Sequence, residues 1–87
     1  LNYPNPFNPS TSIPVRLSKN EHTRISIYSS NGSLVKDIYN GHLESGYHIF
    51  KWNGTSNNNL NVSAGIYFYK LYQGNNFIST KKMILLK

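Results

Sequence analysis

The chain has 87 residues, no cysteine and a net charge of +6, which comes largely from having only three acids, Glu21, Asp37 and Glu44. That length fits one domain with a modest core, and the missing cysteines exclude disulfides, thiolate metal sites and a cysteine nucleophile. No apolar run approaches the about 18 residues of a membrane span, and the scattered basic residues read as solvated surface with some pull toward anionic partners.

Residues 1–10 form a proline-rich opening. Three of the four prolines, Pro4, Pro6 and Pro9, fall close together. Each fixes its own φ and biases the residue before it, so Tyr3, Asn5 and Asn8 are expected in extended or turn conformations. This stiff segment presents Tyr3 and Phe7, and both are expected to pack on the domain and pin its first strand.

Residues 11–87 read as a β-sandwich. Asparagine is abundant and Ala64 is the only alanine, which disfavours helix and favours turns. The first apolar run is Thr11 to Ser18, with Ile13, Val15 and Leu17 on one face. Pro14 cannot donate to a ladder, so this run is expected at an edge. The second is Thr23 to Ser29, with Ile25 and Ile27 on one face. Asn31-Gly32 then supplies a tight hairpin. From Ser33 to Tyr39 the apolar residues Leu34, Val35 and Ile38 do not alternate cleanly, which calls for a bulge whose place the pattern does not fix. Gly41 to Gly46 reads as a turn. Tyr47 to Trp52 carries His48, Phe50 and Trp52 on one face, and a long polar loop, Asn53 to Asn61, follows. Ile66 to Gln73 is apolar on both faces, which marks a central strand or one with a face committed to a partner, self-association included. After Gly74-Asn75-Asn76 the chain closes with Phe77 to Lys87. Together these predict an all-β, immunoglobulin or fibronectin III-like antiparallel sandwich of about seven strands.

No chemistry emerges from these residues. The three acids sit in or beside different turns with nothing to pair them, and no serine has the context of a nucleophile. His22 and His42 read as turn residues and His48 as a core histidine bonded to backbone. None has metal-ligand spacing, and Asn57-Asn58-Asn59 lacks the carboxylates of a calcium loop. No cofactor is called for. Aromatics near Lys70 resemble a stacking platform, but the signature of an RNA-recognition sheet is absent. Sugar stacking on Phe68 and Tyr72 stays open beside a plain structural role. Beginning at Leu1, the chain reads as the C-terminal piece of something longer.

Four ordered motifs resemble the type A C-terminal sorting domains of the type IX secretion system. The first is Tyr3-Pro4-Asn5-Pro6-Phe7-Asn8-Pro9 with the strand after it. The next are the apolar strand ending in the turn at Gly32, and Gly46-Tyr47-His48 running to Trp52-Asn53-Gly54. The last is Gly65-Ile66-Tyr67 running to Leu71. A basic-apolar tail, Lys81, Lys82, Met83, Ile84, Leu85, Leu86 and Lys87, completes the resemblance. The middle strands are equally similar to the immunoglobulin-like domain of flagellar hook-capping proteins. The opening and the terminal lysines favour sorting. Ser29, Asn53 and Asn57 stand where the family usually has acids.

The resemblance implies a non-catalytic secretion address. A cargo domain ahead of Leu1 would pass through the periplasm to the outer-membrane translocon, reach the cell surface or the medium, and in many relatives lose this tail to a sortase. Residues Lys81 to Lys87 are expected to be what the translocon reads, by strand addition at an exposed edge. Deleting the last five residues is expected to leave a folded domain. The alternative is a carbohydrate-binding or structural module of an extracellular protein.

Overall fold

The computed structural model describes residues 2–86, and everything structural below concerns those residues. There are six strands: β1 (Thr11–Leu17), β2 (Glu21–Ser29), β3 (Leu34–Leu43), β4 (Gly46–Trp52), β5 (Gly65–Gln73) and β6 (Asn76–Leu85). They form a two-stranded sheet, β1-β4, facing a four-stranded sheet in the order β3-β2-β5-β6. Every pairing between strands is antiparallel. The protein is therefore an all-β, immunoglobulin-like sandwich, with six strands where the sequence pattern pointed to about seven.

Alternation builds the core. Ile13, Val15 and Leu17 of β1, Ile25 and Ile27 of β2, Tyr67, Tyr69 and Leu71 of β5, and Met83 and Leu85 of β6 are all buried. Phe7 and Trp52 close one end of this core, their ring centroids 5.5 Å apart, and Tyr67 meets the other side of Trp52 at 5.2 Å. The indole Nε1 donates to the Thr55 carbonyl at 2.9 Å, so the one buried tryptophan has no unpaired polar atom.

β5 is central, flanked by β2 and β6; Tyr67, Tyr69 and Leu71 face the core, while Phe68 and Tyr72 are half-buried on the outer face. Two bulges explain the broken rhythm of β3. Ile38 is the extra residue between the pairs Ile25↔Tyr39 and Ser26↔Asp37, and Val35 is extra between Ile27↔Lys36 and Tyr28↔Leu34. The first bulge lets Ile38 and Tyr39 both lean on the core; at the second Val35 packs on it while Leu34 stays exposed. At the β2–β3 turn Gly32 takes φ +90°, a conformation costly for any residue with a Cβ.

Gly41 and His42 lie within β3 rather than in a turn, because the β2–β3 ladder runs on to Glu21↔Leu43. His22 and His42, read from the sequence as turn residues, are cross-strand neighbours. The turn itself is only Glu44 and Ser45. His48 is half-buried at the rim, its Nε2 2.8 Å from the Glu44 carbonyl oxygen, rather than in the core.

The opening segment is part of the sandwich. Tyr3 exchanges both backbone hydrogen bonds with Ser12 of β1, at 2.9 and 2.8 Å. Phe7 N–H donates to the Ile84 carbonyl at 2.9 Å, and Leu86 N–H to the Phe7 carbonyl at 2.7 Å. The segment pairs antiparallel to β1 and parallel to β6, and so straps one sheet to the other. Its two aromatics have different fates. Phe7 is 1% exposed, whereas Tyr3 is 52% exposed and is held by its backbone alone, against the expectation that both rings pack.

Phe7→Ala is expected to cost about 3–5 kcal/mol in urea unfolding, and Tyr3→Ala under about 1 kcal/mol. Equal effects would contradict the packing described. Burial also raises the pKa of the Tyr67 and Tyr69 hydroxyls. In alkali the unfolded chain releases these protons before the folded one does, so ν_U falls below ν_N and stability drops with pH. A urea midpoint that declines from about pH 10 upward in wild type, and less steeply in Tyr69→Phe, is the expected outcome.

Candidate functional site

The tail is a strand, and its period of two divides its residues. Met83 and Leu85 are 0% and 1% exposed, locked in the core. Lys81, Lys82 and Leu86 are exposed and Ile84 is half-buried. Lys87 lies outside the described residues. A partner meeting the folded domain can therefore touch Lys81, Lys82, Ile84 and Leu86, and cannot touch Met83 or Leu85.

The free edge of this stretch is already taken. Asn5 stands in for a strand residue: its Nδ2 donates to the Lys82 carbonyl at 3.2 Å and its Oδ1 accepts from Ile84 N–H at 2.9 Å. A side-chain amide carries one donor and one acceptor group, as a peptide unit does. Phe7 then continues along Ile84 and Leu86. From Lys82 to Leu86 the edge is closed by the chain's own opening, so strand addition there, expected from the sequence, is blocked unless the strap leaves. Deleting the last five residues would also remove Met83, Leu85 and the strap's anchor. The expectation that such a truncation stays folded is corrected accordingly.

The remaining motif residues frame this junction or hold the sandwich. Pro4 and Pro6 flank Asn5. The Pro4 carbonyl accepts from Thr11 Oγ1 at 2.9 Å and from Asn2 Nδ2 at 3.1 Å. Asn8 and Pro9 pass over Gly54, where a Cβ would sit 3.3 Å from the Pro9 carbonyl oxygen and 3.5 Å from the Leu85 side chain. Gly54 also has φ +75°, so a side chain is excluded there twice over. Trp52 and Tyr67 pack behind Phe7. Gly46 and Gly65 open β4 and β5, Leu71 is core, and Gly32 and His48 lie far from the strap in chain order.

Asn57 covers the opposite edge of the large sheet with one backbone and one side-chain group. Its N–H donates to the Val35 carbonyl at 3.0 Å and its Oδ1 accepts from Asp37 N–H at 3.0 Å. Asp37 is further engaged by Arg24 Nε at 3.0 Å and Ser26 Oγ at 2.7 Å. Among the described residues no three His, Asp or Glu side chains gather as metal ligands would.

The outer face of the large sheet carries a second feature. A shallow groove of about 350 Å³ is lined by Tyr28, Ser30, Phe68, Lys70 and Thr80, among others. Lys70 Nζ sits 4.7 Å from the centre of the Tyr28 ring. Alongside, Tyr72 has its pKa raised by loss of solvent, then by the hydrogen bond and charge of Tyr28, against a lowering by Arg24.

Comparison with known proteins adds the following. The FlgD Ig-like domain family matches residues 5–76. No curated protein matches the chain. Solved structures that share the fold include the following two. Dimeric latent PorU from Porphyromonas gingivalis matches with TM-score 0.80 and 23% identity, over 99% of this chain and 9% of that one. FlgD from Xanthomonas campestris, described in connection with hook capping in flagellar assembly, matches with TM-score 0.66 and 24% identity, over 87% of this chain and 55% of that one. The chain thus spans only part of the length of each.

Asn5→Ala removes two hydrogen bonds from the strap and is expected to cost about 1–2 kcal/mol. Hydrogen exchange at the Ile84 amide should speed up, while exchange at Ile25 in the sheet centre keeps step with global unfolding. An unchanged Ile84 rate would show that the Asn5 amide does not cap the edge.

Proposed function

The chain belongs to the FlgD Ig-like domain family, and from that premise we propose that it is a type IX C-terminal sorting domain, a folded handle by which the outer-membrane translocon exports an attached cargo. The observation that carries this reading is the junction of opening and tail. The tail lies beyond the family match at residues 5–76, and the opening, from Asn5 on, lies within it. Asn5 and Phe7 join them, through Lys82, Ile84 and Leu86, into one structural unit. The whole chain shares its fold with a small part of PorU.

In this proposal the domain performs no catalysis and needs no cofactor. Its partners are the translocon, the sortase that removes it on anchoring, and the cargo ahead of it. It passes through the periplasm to the outer surface or the medium. The exposed side chains Lys81, Lys82 and Leu86, with Ile84, carry the address. Met83 and Leu85 contribute by holding the strand in place. A rigid handle suits this task because little conformational entropy is lost on docking.

The test is a secreted reporter fused ahead of residue 1 in a host with the translocon. The reporter is expected on the cell surface or in the medium, and Lys81→Ala/Lys82→Ala/Leu86→Ala is expected to retain it in the periplasm with the melting temperature unchanged. Periplasmic retention of the wild-type fusion would refute the secretory role.

The groove beside Lys70 favours one alternative, a non-catalytic carbohydrate-binding module. Phe68 and Tyr28 offer ring faces, and Lys70 with the Thr80 hydroxyl offers polar groups. Glycan-array binding lost in Phe68→Ala, together with failed export, would favour it over sorting.

A further inference from the structure

The strap closes only part of the seam between the two sheets. In an antiparallel ladder the backbone groups of alternate residues point to the same edge. Ile84 turns both its N–H and its C=O away from β5 and toward the strap, and Lys82 turns its C=O the same way. Thr80, two residues earlier, therefore directs its N–H and C=O outward as well. Nothing among the described residues caps either group. The Lys82 N–H is in the same position.

The facing edge of β1 is less hospitable. Ser12 bonds outward to Tyr3, so by the same alternation Pro14 and Arg16 also face out. Pro14 has no N–H to offer. Between the two edges lies a hollow of about 490 Å³, lined by Arg16, Leu17, Lys19, Gln73 and Ile78, among others. Ile78 of β6 is exposed in its lining.

Charge decides between occupants. Arg16 and Lys19 line the hollow, and Lys81 and Lys82 follow Thr80 on the strand. Of the three carboxylates, Asp37 is paired with Arg24 and Glu44 lies beside His42. Glu21 rests against Gly74 in the β5–β6 turn, next to the hollow-lining Gln73 and Asn76, and is there outnumbered by Arg16, Lys19, Lys81 and Lys82. A second copy would bring another +6 to this seam, and like charges oppose that pairing.

We propose that the open half of the β6 edge, Asn76 to Lys82, is a docking site for an extended, acidic segment of another protein, which adds as a strand beside β6 where the strap ends. Its backbone would bond to Thr80 N–H and C=O and to Lys82 N–H. Its acidic side chains would meet Lys81 and Lys82, and its apolar ones the hollow at Ile78. Main-chain bonds supply affinity in this mode, and side-chain pockets supply selectivity. The identity of the partner rests on the secretory reading, and the test separates the two.

Thr80→Pro deletes one outward N–H and no ladder bond, as proline is tolerated on an edge strand. Thr80→Val keeps the N–H and loses the hydroxyl. In the reporter fusion, Thr80→Pro is expected to lower export about tenfold or more at unchanged melting temperature, and Thr80→Val to export as wild type. Lys81→Glu/Lys82→Glu covers the case in which the proline variant misfolds, and is expected to lower export similarly. In the isolated domain, the Thr80 amide should exchange quickly and the Ile84 amide slowly. Wild-type export by a folded Thr80→Pro variant overturns the docking site and leaves the handle standing; if the proline variant misfolds, wild-type export by the charge-reversed one overturns the docking site and also removes Lys81 and Lys82 from the address, the handle itself then resting on the wild-type fusion. Failure of the wild-type fusion overturns both. A concentration-dependent dimer in light scattering, lost in Thr80→Pro, would identify a second copy as the occupant and overturn the acidic partner.

Discussion

The sandwich depends on the strap. A two-stranded sheet is marginal by itself, and β1-β4 has no third strand on either side. Burial of its apolar face against the large sheet holds it, and at one end the strap adds a second tie. Tyr3 grips β1 through two backbone bonds, and Phe7 grips the end of β6 through two more while placing its ring against Trp52. A small domain without cysteines has few other ways to join its ends. The cross-link here is an aromatic ring in the core with a paired backbone, and its loss would be felt in both sheets at once.

The second constraint is the exposed edge. A four-stranded sheet has two rows of unpaired peptide groups, which invite unwanted pairing. Asn5 covers part of one row with a side-chain amide that copies the donor and acceptor of a peptide unit, and Asn57 covers part of the other with its backbone N–H and its side-chain oxygen. At Asn5 asparagine suits this better than aspartate, which accepts but cannot donate. The asparagine content of the chain, which from composition alone signals turns, is in these places edge chemistry. Asn53 and Asn57 use their side chains as acceptors only: Asn57 Oδ1 accepts from Asp37 N–H, and Asn53 Oδ1 accepts from Thr55 Oγ1 at 2.6 Å.

Much of the fold was legible because the core obeys a period of two. Ile13, Val15 and Leu17, or Tyr67, Tyr69 and Leu71, can be placed without coordinates. Pro14 announces an edge, and its alternation with Ser12 shows that its missing donor falls on the outward side. The bulges at Ile38 and Val35 were visible only as a broken rhythm, since a pattern that fails does not say where the extra residue goes. His22 and His42 were misplaced because Gly41 looks like punctuation, and only the β2–β3 register shows the ladder running past it. The roles of Asn5 and Phe7 were least legible. Their partners lie at the opposite end of the chain, and no local signal marks which asparagine reaches a distant strand.

These facts bear on how such a handle could be read. A linear tail signal needs its residues accessible, yet Met83 and Leu85 are core and the edge beside Ile84 is paired. Pulling the tail free would break the strap and surrender Phe7 to solvent, which unfolds the domain rather than displaying a peptide. Reading by a partner is therefore confined to surfaces that exist in the folded state. On β6 those are the outward side chains of Lys81, Lys82, Ile84 and Leu86 and the unpaired edge around Thr80. They lie on one strand, next to one another, at the place where the strap stops. The strap thus helps define the signal by closing the part of the edge that is not offered.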